Sequence, residues 1–206
     1  MSQKNVRLLQ SGFDFGRKLV DTGLNWYDSH KALADRNARM PLLKHYSAIF
    51  SEPLTNSQGI LYSNRRTRSF RTSLLKRDNP TLEWIDALFI YKDGQWYLHQ
   101  NHVFLKGQLE AQEKILLPPS FLEEGLVALD ILTPEGFPSS KISGSRYTLF
   151  CWPPKDQHVA VFYTDPEGSQ LRFNEPPTYA SSNRGSRPVY SLSPNLALEQ
   201  RLSPTG

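Results

Sequence analysis

The stretch that decides the fold is Leu82–Leu105, which reads Leu-Glu-Trp-Ile-Asp-Ala-Leu-Phe-Ile-Tyr-Lys-Asp-Gly-Gln-Trp-Tyr-Leu-His-Gln-Asn-His-Val-Phe-Leu. Two runs of aromatic, β-branched and other apolar residues flank Asp93-Gly94. An Asp-Gly pair between two such runs is a strong hairpin signal, because glycine adopts positive φ angles without steric cost. The sequence therefore predicts two antiparallel strands joined by a tight turn.

Further strands are predicted on the C-terminal side of this hairpin. Leu126–Leu132, Tyr147–Trp152, His158–Thr164 and Gln170–Phe173 are short apolar runs bounded by residues that favour turns. Together with the hairpin, they predict an antiparallel sheet of about five or six strands.

The N-terminal part carries a helical pattern instead. Apolar residues between positions 6 and 48, such as Phe15 and Leu19, keep an approximately helical spacing. Gly23 and Pro41 interrupt that pattern, because both residues disfavour a helix interior. Two short helices are predicted here, broken near these two positions. Helices followed by an antiparallel sheet indicate an α+β fold.

The composition changes at Asn174. From there to Gly206, Pro, Ser, Arg, Asn and Gly dominate, and such segments bury too little apolar surface to offset the entropy of ordering. The sequence therefore predicts one globular domain at residues 1–173 and a disordered tail at residues 174–206.

The overall composition fits a folded protein outside the secretory pathway. Aromatic residues make up 12% of the chain, no apolar run is long enough to span a bilayer, and residues 1–10 lack the apolar stretch of a secretory signal. Cys151 is the one cysteine, so an intramolecular disulfide is excluded, and its strand-like surroundings predict a buried, inert thiol. These features favour a cytoplasmic protein, with the nucleus or a peripheral position at a membrane as alternatives.

Positive charge is concentrated near the N-terminus. Residues 1–77 hold 14 Lys and Arg against 5 Asp and Glu, whereas residues 78–206 hold 10 against 15. A basic segment with an interleaved aromatic residue is typical of phosphate binding in nucleic acids or at acidic membranes, and such clusters also act as nuclear-import signals. The alternative is an edge strand or loop that keeps the protein soluble. The candidate binding residues are Arg65, Arg66, Arg68, Phe70, Arg71, Lys76 and Arg77.

The predicted tail contains a peptide motif. Pro176-Pro177-Thr178-Tyr179 matches Pro-Pro-x-Tyr, in which the prolines favour the polyproline II conformation that the aromatic grooves of WW domains bind. Pro176, Pro177 and Tyr179 are therefore predicted to contact a WW domain, for instance that of a ubiquitin ligase.

Signals for catalysis are absent from the sequence. It contains no phosphate-binding glycine loop and no nucleophile elbow. His99 and His102 lie three apart in a predicted strand, so regular alternation points them to opposite faces and disfavours a shared metal. His30 stands alone, and Asp130 is either a hydrogen-bonding residue at a strand end or a general base. We therefore predict a non-enzymatic protein without a cofactor or a metal.

Three functions are consistent with these features. The first is an adaptor that binds an anionic surface and recruits WW-domain proteins, and its size, charge and motif resemble those of matrix proteins of enveloped RNA viruses. The second is a nucleic-acid-binding protein, of the type of viral movement proteins or silencing suppressors. The third is a β-rich fold that holds a small molecule in a pocket near Trp84, Trp96 and Trp152. Formation of a homo-oligomer is compatible with each of these functions.

Overall fold

The structure is a computed structural model that describes residues 5–8, 13–55, 60–75, 79–117, 123–133, 137–140 and 142–191. Within these ranges the helices are α1 (Trp26–Ala34), α2 (Leu43–Ser51) and α3 (Asn64–Leu75). The strands are β1 (Val6–Leu8), β2 (Phe13–Phe15), β3 (Leu54–Thr55), β4 (Thr81–Lys92), β5 (Gln95–Leu105), β6 (Gln108–Leu116), β7 (Gly125–Leu132), β8 (Pro138–Ser139), β9 (Thr148–Trp152), β10 (His158–Thr164), β11 (Ser169–Glu175), β12 (Arg184–Gly185) and β13 (Val189–Ser191). The α+β fold predicted from the sequence is confirmed.

The predicted hairpin lies in the main sheet, one strand in from the edge formed by β6. Strands β4 and β5 pair antiparallel, with Lys92 opposite Gln95. Asp93 and Gly94 form the two-residue turn, at φ angles of 53° and 77°. Positive φ at both positions matches the twist of the flanking strands, which is why Asp-Gly is favoured there.

The main sheet is larger than predicted. In the described parts of the chain, nine strands join it, in the order β6-β5-β4-β10-β11-β9-β7-β8, and β12 pairs with β4. Strand β6 was not predicted, because charged and amide residues alternate with apolar ones along it, which gives no continuous apolar run. The turn that precedes it, Lys106-Gly107, was not recognised either. Lys106 has a φ of 52° in this turn. Lysine rarely adopts such a conformation, so its presence in the sequence does not indicate a turn. The prediction of five or six strands was thus too low.

Both faces of β4 are covered. Ile85, Ala87 and Phe89 point into the larger hydrophobic core, which contains residues of α2 and of the small sheet formed by β13, β2, β1 and β3. Trp84 points to the other face and packs in a second core with Trp26 of α1. Because alternate residues of a strand point to opposite faces and both faces of β4 are buried, most residues of β4 are apolar.

The N-terminal helix prediction was partly wrong. Residues 6–8 and 13–15 form strands rather than a helix, and the helices begin after Gly23 and after Pro41. Phe15 pairs with Val189 of β13, from the other end of the described chain. This long-range pairing buries both side chains, and such tertiary contacts override a local helical pattern.

The tail prediction fails for residues 174–191, here named the C-terminal strap. The strap completes β11, adds β12 to the main sheet and adds β13 to the small sheet. Arg184 and Arg187 are buried in it, and buried arginines need partners inside the fold. The composition of the strap did not reveal this order, because arginine and serine are usually exposed to solvent and the burial of the arginines here depends on ion pairs inside the fold. Residues 192–206 lie outside the described residues.

Candidate functional site

Helix α3 presents a basic face to solvent. Its twelve residues include no carboxylate. Ser63 precedes the helix, and its Oγ accepts a hydrogen bond from the N–H of Arg66 at 3.3 Å, which satisfies a backbone donor at the helix start. Phe70 packs into the larger core. The side chains of Arg65, Arg66 and Arg68 are exposed.

Within the part of the chain that the structure describes, these three arginines have no partner of opposite charge. No carboxylate of the described residues lies within ion-pair distance of Arg65, Arg66 or Arg68. The guanidinium of Arg66 lies 5.1 Å from the ring centre of Tyr62. All three occupy the first two turns of α3, where the helix dipole is positive, and a cation there costs on the order of 0.3–1 kcal/mol. A bound anion would remove this cost.

Two other predicted contacts of the basic segment are internal to the fold. Phe70 is buried, with the guanidinium of Arg17 5.3 Å from its ring centre, so its ring does not face a partner at the surface. Arg71 donates from Nε to the Ile49 carbonyl at 2.6 Å and from Nη2 to the Glu52 carbonyl at 2.7 Å. These carbonyls lie at the end of α2, so Arg71 caps a helix rather than facing a partner.

The remaining candidates of this segment are Lys76 and Arg77, which lie outside the described residues. The exposed part of the predicted cluster is therefore Arg65, Arg66 and Arg68, which we name the α3 arginine face.

Exposed aliphatic side chains precede the α3 arginine face in the chain. Ile60 and Leu61 are 61% and 62% exposed, the largest values among the exposed large hydrophobic residues that the structure describes. The backbone here is held in place, because Leu61 forms a bridge with Thr55 and the N–H of Tyr62 donates to the Leu54 carbonyl at 2.9 Å. The two exposed aliphatic side chains therefore lie side by side on an ordered backbone, immediately before the α3 arginine face.

The Pro-Pro-x-Tyr motif lies within the C-terminal strap rather than in a disordered tail. The N–H of Tyr179 donates to the Pro176 carbonyl at 3.2 Å, which closes a turn, and the Pro177 carbonyl accepts from the N–H of Trp26 at 3.0 Å. The Tyr179 ring is half-exposed, with the Arg184 guanidinium 3.9 Å from its centre. A WW domain binds an extended polyproline II segment, so this turn has to open before the predicted contact can form.

A second candidate site lies on the α1 side of the main sheet. Helix α1 turns Trp26, Ser29, His30 and Leu33 inward at helical spacing. His30 lies close to Asp86 of β4, with 3.6 Å between His30 Nε2 and Asp86 Oδ1. The same oxygen, Asp86 Oδ1, is hydrogen-bonded to Nδ1 of His102. We name these three buried residues (His30, Asp86 and His102) the His-Asp-His cluster.

The cluster depends on an irregularity in β5. Leu98 pairs with Phe89 and points into the larger core, so regular alternation would place His102 on that face too. Instead His102 contacts Asp86 on the opposite face. The backbone of Asn101, between them, has a φ of 57°, and such a left-handed residue interrupts strand alternation. The expectation that alternation holds from His99 to His102 was therefore wrong.

The cluster adjoins an open cleft. This cleft has a volume of about 290 Å³ and is lined in part by His30, His102, Arg39 and Phe104. The rings of His30 and His102 pack edge-on against Trp26, with ring centres 4.4 and 5.0 Å from the Trp26 ring. Burial lowers the pKa of His30 to about 4, although the nearby Asp86 carboxylate opposes this shift. His30 is therefore neutral at physiological pH.

The other sequence-predicted candidates have structural roles. Cys151 is buried, as predicted, and burial raises its pKa to about 12, so the thiol is protonated at neutral pH. Asp130 accepts hydrogen bonds from the Ser145 hydroxyl and from the N–H of Arg146, as expected for the hydrogen-bonding alternative. Trp84 belongs to the second core and Trp96 packs on the larger one, so these rings do not enclose a common pocket.

No protein-family model matches the chain, and no curated protein or solved structure is significantly similar to it. Among the described residues, no helix is long and apolar enough to cross a membrane.

Sequence reasoning missed the His-Asp-His cluster because it treated His30 as an isolated residue. The available signal was the buried stripe of α1, in which His30 follows Trp26 by four residues. That stripe has to cover a sheet face, and the face of β4 that carries Trp84 also carries Asp86.

Proposed function

We propose that this protein binds anionic membrane surfaces peripherally, through the α3 arginine face and the exposed side chains of Ile60 and Leu61. The observation that carries the proposal is the succession of two exposed aliphatic residues and a carboxylate-free helix whose arginines have no partner among the described residues. Peripheral membrane binding commonly combines an electrostatic attraction to acidic headgroups with a shallow insertion of apolar side chains.

The expected affinity is modest. Each Lys or Arg close to an acidic bilayer contributes about 1 kcal/mol, so the three arginines supply about 3 kcal/mol. A shallow insertion that buries about 40 Å² of each of the exposed side chains of Ile60 and Leu61 adds roughly 1 kcal/mol each at about 25 cal/mol per Å². A total of about 5 kcal/mol corresponds to a Kd on the order of 0.1 mM. Binding by a single copy is then reversible and sensitive to salt, and an oligomer would bind more tightly.

Nucleic acid is the main competing partner, since arginines also suit phosphate diesters. Two features favour the membrane. Exposed aliphatic side chains gain nothing beside a sugar-phosphate backbone, whereas they partition into the headgroup region of a bilayer. Phe70, the aromatic residue inside the arginine cluster, is buried, so it does not offer the exposed aromatic platform typical of single-strand binding.

The test is vesicle flotation with the purified full chain. Vesicles that contain phosphatidylserine should capture the protein at low salt and release it as salt rises, whereas phosphatidylcholine vesicles should not capture it. Replacing Arg65, Arg66 and Arg68 together by glutamine should abolish capture. The matched control replaces three exposed lysines on the β4–β6 hairpins, Lys92, Lys106 and Lys114, by glutamine, with the same change in net charge, and it should retain capture.

A second variant separates the two partners. Replacing Ile60 and Leu61 by serine should weaken vesicle capture while leaving any binding to an RNA or DNA oligonucleotide unchanged. Tight oligonucleotide binding that the arginine variant loses, without vesicle capture, would instead establish the nucleic-acid function. Equal vesicle capture by the arginine variant and the lysine control would contradict the proposal.

A further inference from the structure

We infer that His30, Asp86 and His102 bind a divalent transition-metal ion such as zinc, in a site that opens on the cleft beside α1. Two imidazoles and one carboxylate form a ligand set that zinc and its neighbours in the transition series accept. The three candidate ligand atoms lie within 4.8 Å of one another, and all three side chains are buried. This inference is independent of the membrane proposal, because it rests on residues of α1, β4 and β5 rather than α3.

One ligand atom is left without a partner. Nε2 of His30 is buried and has no hydrogen-bond partner among the described residues. A buried polar atom usually has a partner, because leaving it unsatisfied costs about 1–3 kcal/mol. This atom points toward Asp86 Oδ1 at 3.6 Å, and a metal ion between the two would satisfy both.

The spacing suits a tetrahedral ion with a small adjustment. Bonds of about 2.0–2.2 Å place neighbouring ligand atoms of a tetrahedral site about 3.3–3.6 Å apart, which includes the 3.6 Å between His30 Nε2 and Asp86 Oδ1. On the other side, the hydrogen bond between His102 Nδ1 and Asp86 Oδ1 has to open. The His102 ring then carries its proton on Nε2, and its Nδ1 lone pair is free to coordinate.

The surrounding residues hold the ligands in place. The second carboxylate oxygen, Asp86 Oδ2, accepts the backbone N–H of His102 at 2.8 Å, which aims Oδ1 at the cluster. Trp26 packs against both imidazoles and donates from Nε1 to the Ile85 carbonyl at 2.9 Å. Supporting contacts of this kind orient metal ligands and tune the affinity of the site.

The site has an open side. Three protein ligands leave a fourth tetrahedral position, which in zinc proteins is filled by water or by a bound ligand. His30 and His102 both line the cleft of about 290 Å³, so the fourth position is reached from there. Arg39 also lines this cleft, and its positive charge selects an anionic ligand, such as a carboxylate or phosphate, for that position.

The test measures zinc binding by the full chain after treatment with a chelator. We expect saturable binding of one Zn²⁺ in competition with a fluorescent zinc indicator, and a higher Tm in the presence of Zn²⁺. Co²⁺ in place of Zn²⁺ should give the intense visible absorption of a tetrahedral site. His30→Gln should weaken the Zn²⁺ affinity on the order of 100-fold or more, because even the loss of an outer-shell contact costs about 10–100-fold.

Two further variants keep the test decisive. His99→Gln removes a half-buried histidine of the same strand, outside the cluster, and should bind Zn²⁺ like the wild type. Asp86→Asn should lose Zn²⁺ binding, as His30→Gln does. Cooperative thermal unfolding of at least one of these two variants would show that the loss of binding is not caused by loss of the fold. No saturable binding by the wild type, or equal affinities in His30→Gln and His99→Gln, would overturn the inference and leave a hydrogen-bonded His-Asp pair in the core.

Discussion

Two stretches of the chain share the tripeptide Ser-Asn-Arg and use its arginine in opposite ways. Ser63-Asn64-Arg65 opens helix α3, where Arg65 is exposed and has no carboxylate beside it in the described structure. Ser182-Asn183-Arg184 lies in the C-terminal strap, where Arg184 is buried and donates from Nη2 to Glu175 Oε2 at 2.9 Å. The local sequence is the same, and the surroundings differ.

The difference is set by what the fold places opposite each arginine. The strap crosses strands that carry carboxylates, so Arg184 meets Glu175 and the next arginine, Arg187, meets Glu83 of β4 with two contacts of 2.7 Å. These charges are met inside the protein and hold the strap to the sheet. The α3 arginine face has no such counterpart among the described residues, so its charge is available to a partner.

The largest effect is expected from breaking the buried pair. Replacing Arg187 by methionine removes the guanidinium that neutralises Glu83, and both side chains are fully buried. Loss of one member of a buried pair costs about 3–5 kcal/mol of unfolding free energy. Equilibrium unfolding in urea measures this loss.

The control for that measurement is an ion pair whose arginine is half exposed. Arg36 Nη2 lies 2.6 Å from Asp21 Oδ1, with about half of the Arg36 side chain in solvent and Asp21 largely buried, so Arg36→Met should cost less than Arg187→Met. Similar losses in the two variants would mean that burial does not distinguish structural arginines from the rest.

The second-largest effect is a dependence of the unfolding free energy on pH, which arises from the buried side chain of His45. Burial, with a contribution from Lys44, lowers the pKa of His45 to about 3, against about 6.5 in an unfolded chain. The unfolded state then binds more protons than the folded state below pH 6.5, so stability falls as the pH drops. The slope from His45 alone is up to about 1.4 kcal/mol per pH unit.

The measurement is urea unfolding between pH 6.5 and pH 5, a window above the pKa of most carboxylates (about 4). His45→Gln should reduce the dependence of the unfolding free energy on pH, because glutamine does not titrate. The variant should keep the local fold, because glutamine can still accept the hydrogen bond from the Leu42 N–H that His45 Nδ1 accepts at 3.0 Å. An unchanged slope in this variant would show that His45 does not become charged on unfolding.

A smaller effect is expected in the strap at the Pro-Pro-x-Tyr motif. Tyr179→Ala removes the ring that the Arg184 guanidinium covers, and such contacts contribute about 0.5–2 kcal/mol. Tyr179→Phe keeps the ring and should keep the stability. If both variants are as stable as the wild type, the motif is not packed and the strap is looser than described.

The same motif yields a binding prediction. A free peptide of residues 174–182 should bind a WW domain more tightly than the full chain does, because the chain has to open the turn between Pro176 and Tyr179. Titration of a WW domain against the peptide and the protein measures the difference. Equal affinities would show that the turn does not restrain the motif.

The smallest effect on stability is expected on α3. Replacing Arg65, Arg66 and Arg68 by glutamine should change the unfolding free energy by no more than about 0.5 kcal/mol, as is usual for surface sites. A slight gain is expected, because three cations leave the positive end of a helix. A loss comparable to that of Arg187→Met would show that these arginines are structural after all.

The sequence was sufficient for local features and insufficient for distant ones. The hairpin at Asp93-Gly94 was predictable, because its turn chemistry and flanking runs lie within one short window. The pairing of Phe15 with Val189 was not, because nothing local specifies a partner more than 170 residues away. The buried arginines of the strap were missed for the same reason, since burial of a charge depends on a carboxylate elsewhere in the chain.

The candidate sites follow the same pattern. The concentration of arginine at positions 65–68 was visible in the sequence, whereas the inward orientation of Phe70 and the capping role of Arg71 required the packing of α3. The His-Asp-His cluster depends on the φ angle of Asn101, which no residue-level pattern revealed.

The most direct test of the membrane proposal places a fluorescent probe at the predicted point of insertion. Leu61→Cys introduces a reactive thiol, and Cys151 should not react because it is buried with a pKa raised to about 12. An environment-sensitive fluorophore at position 61 should shift to the blue on addition of phosphatidylserine vesicles at low salt. The same fluorophore at Leu126→Cys, a half-exposed position of β7, should not shift.

The account predicts that the shift at position 61 reverses with salt and disappears when Arg65, Arg66 and Arg68 are replaced by glutamine. Absence of a shift at position 61, or an equal shift at position 126, would contradict the proposal that this end of α3 meets the membrane.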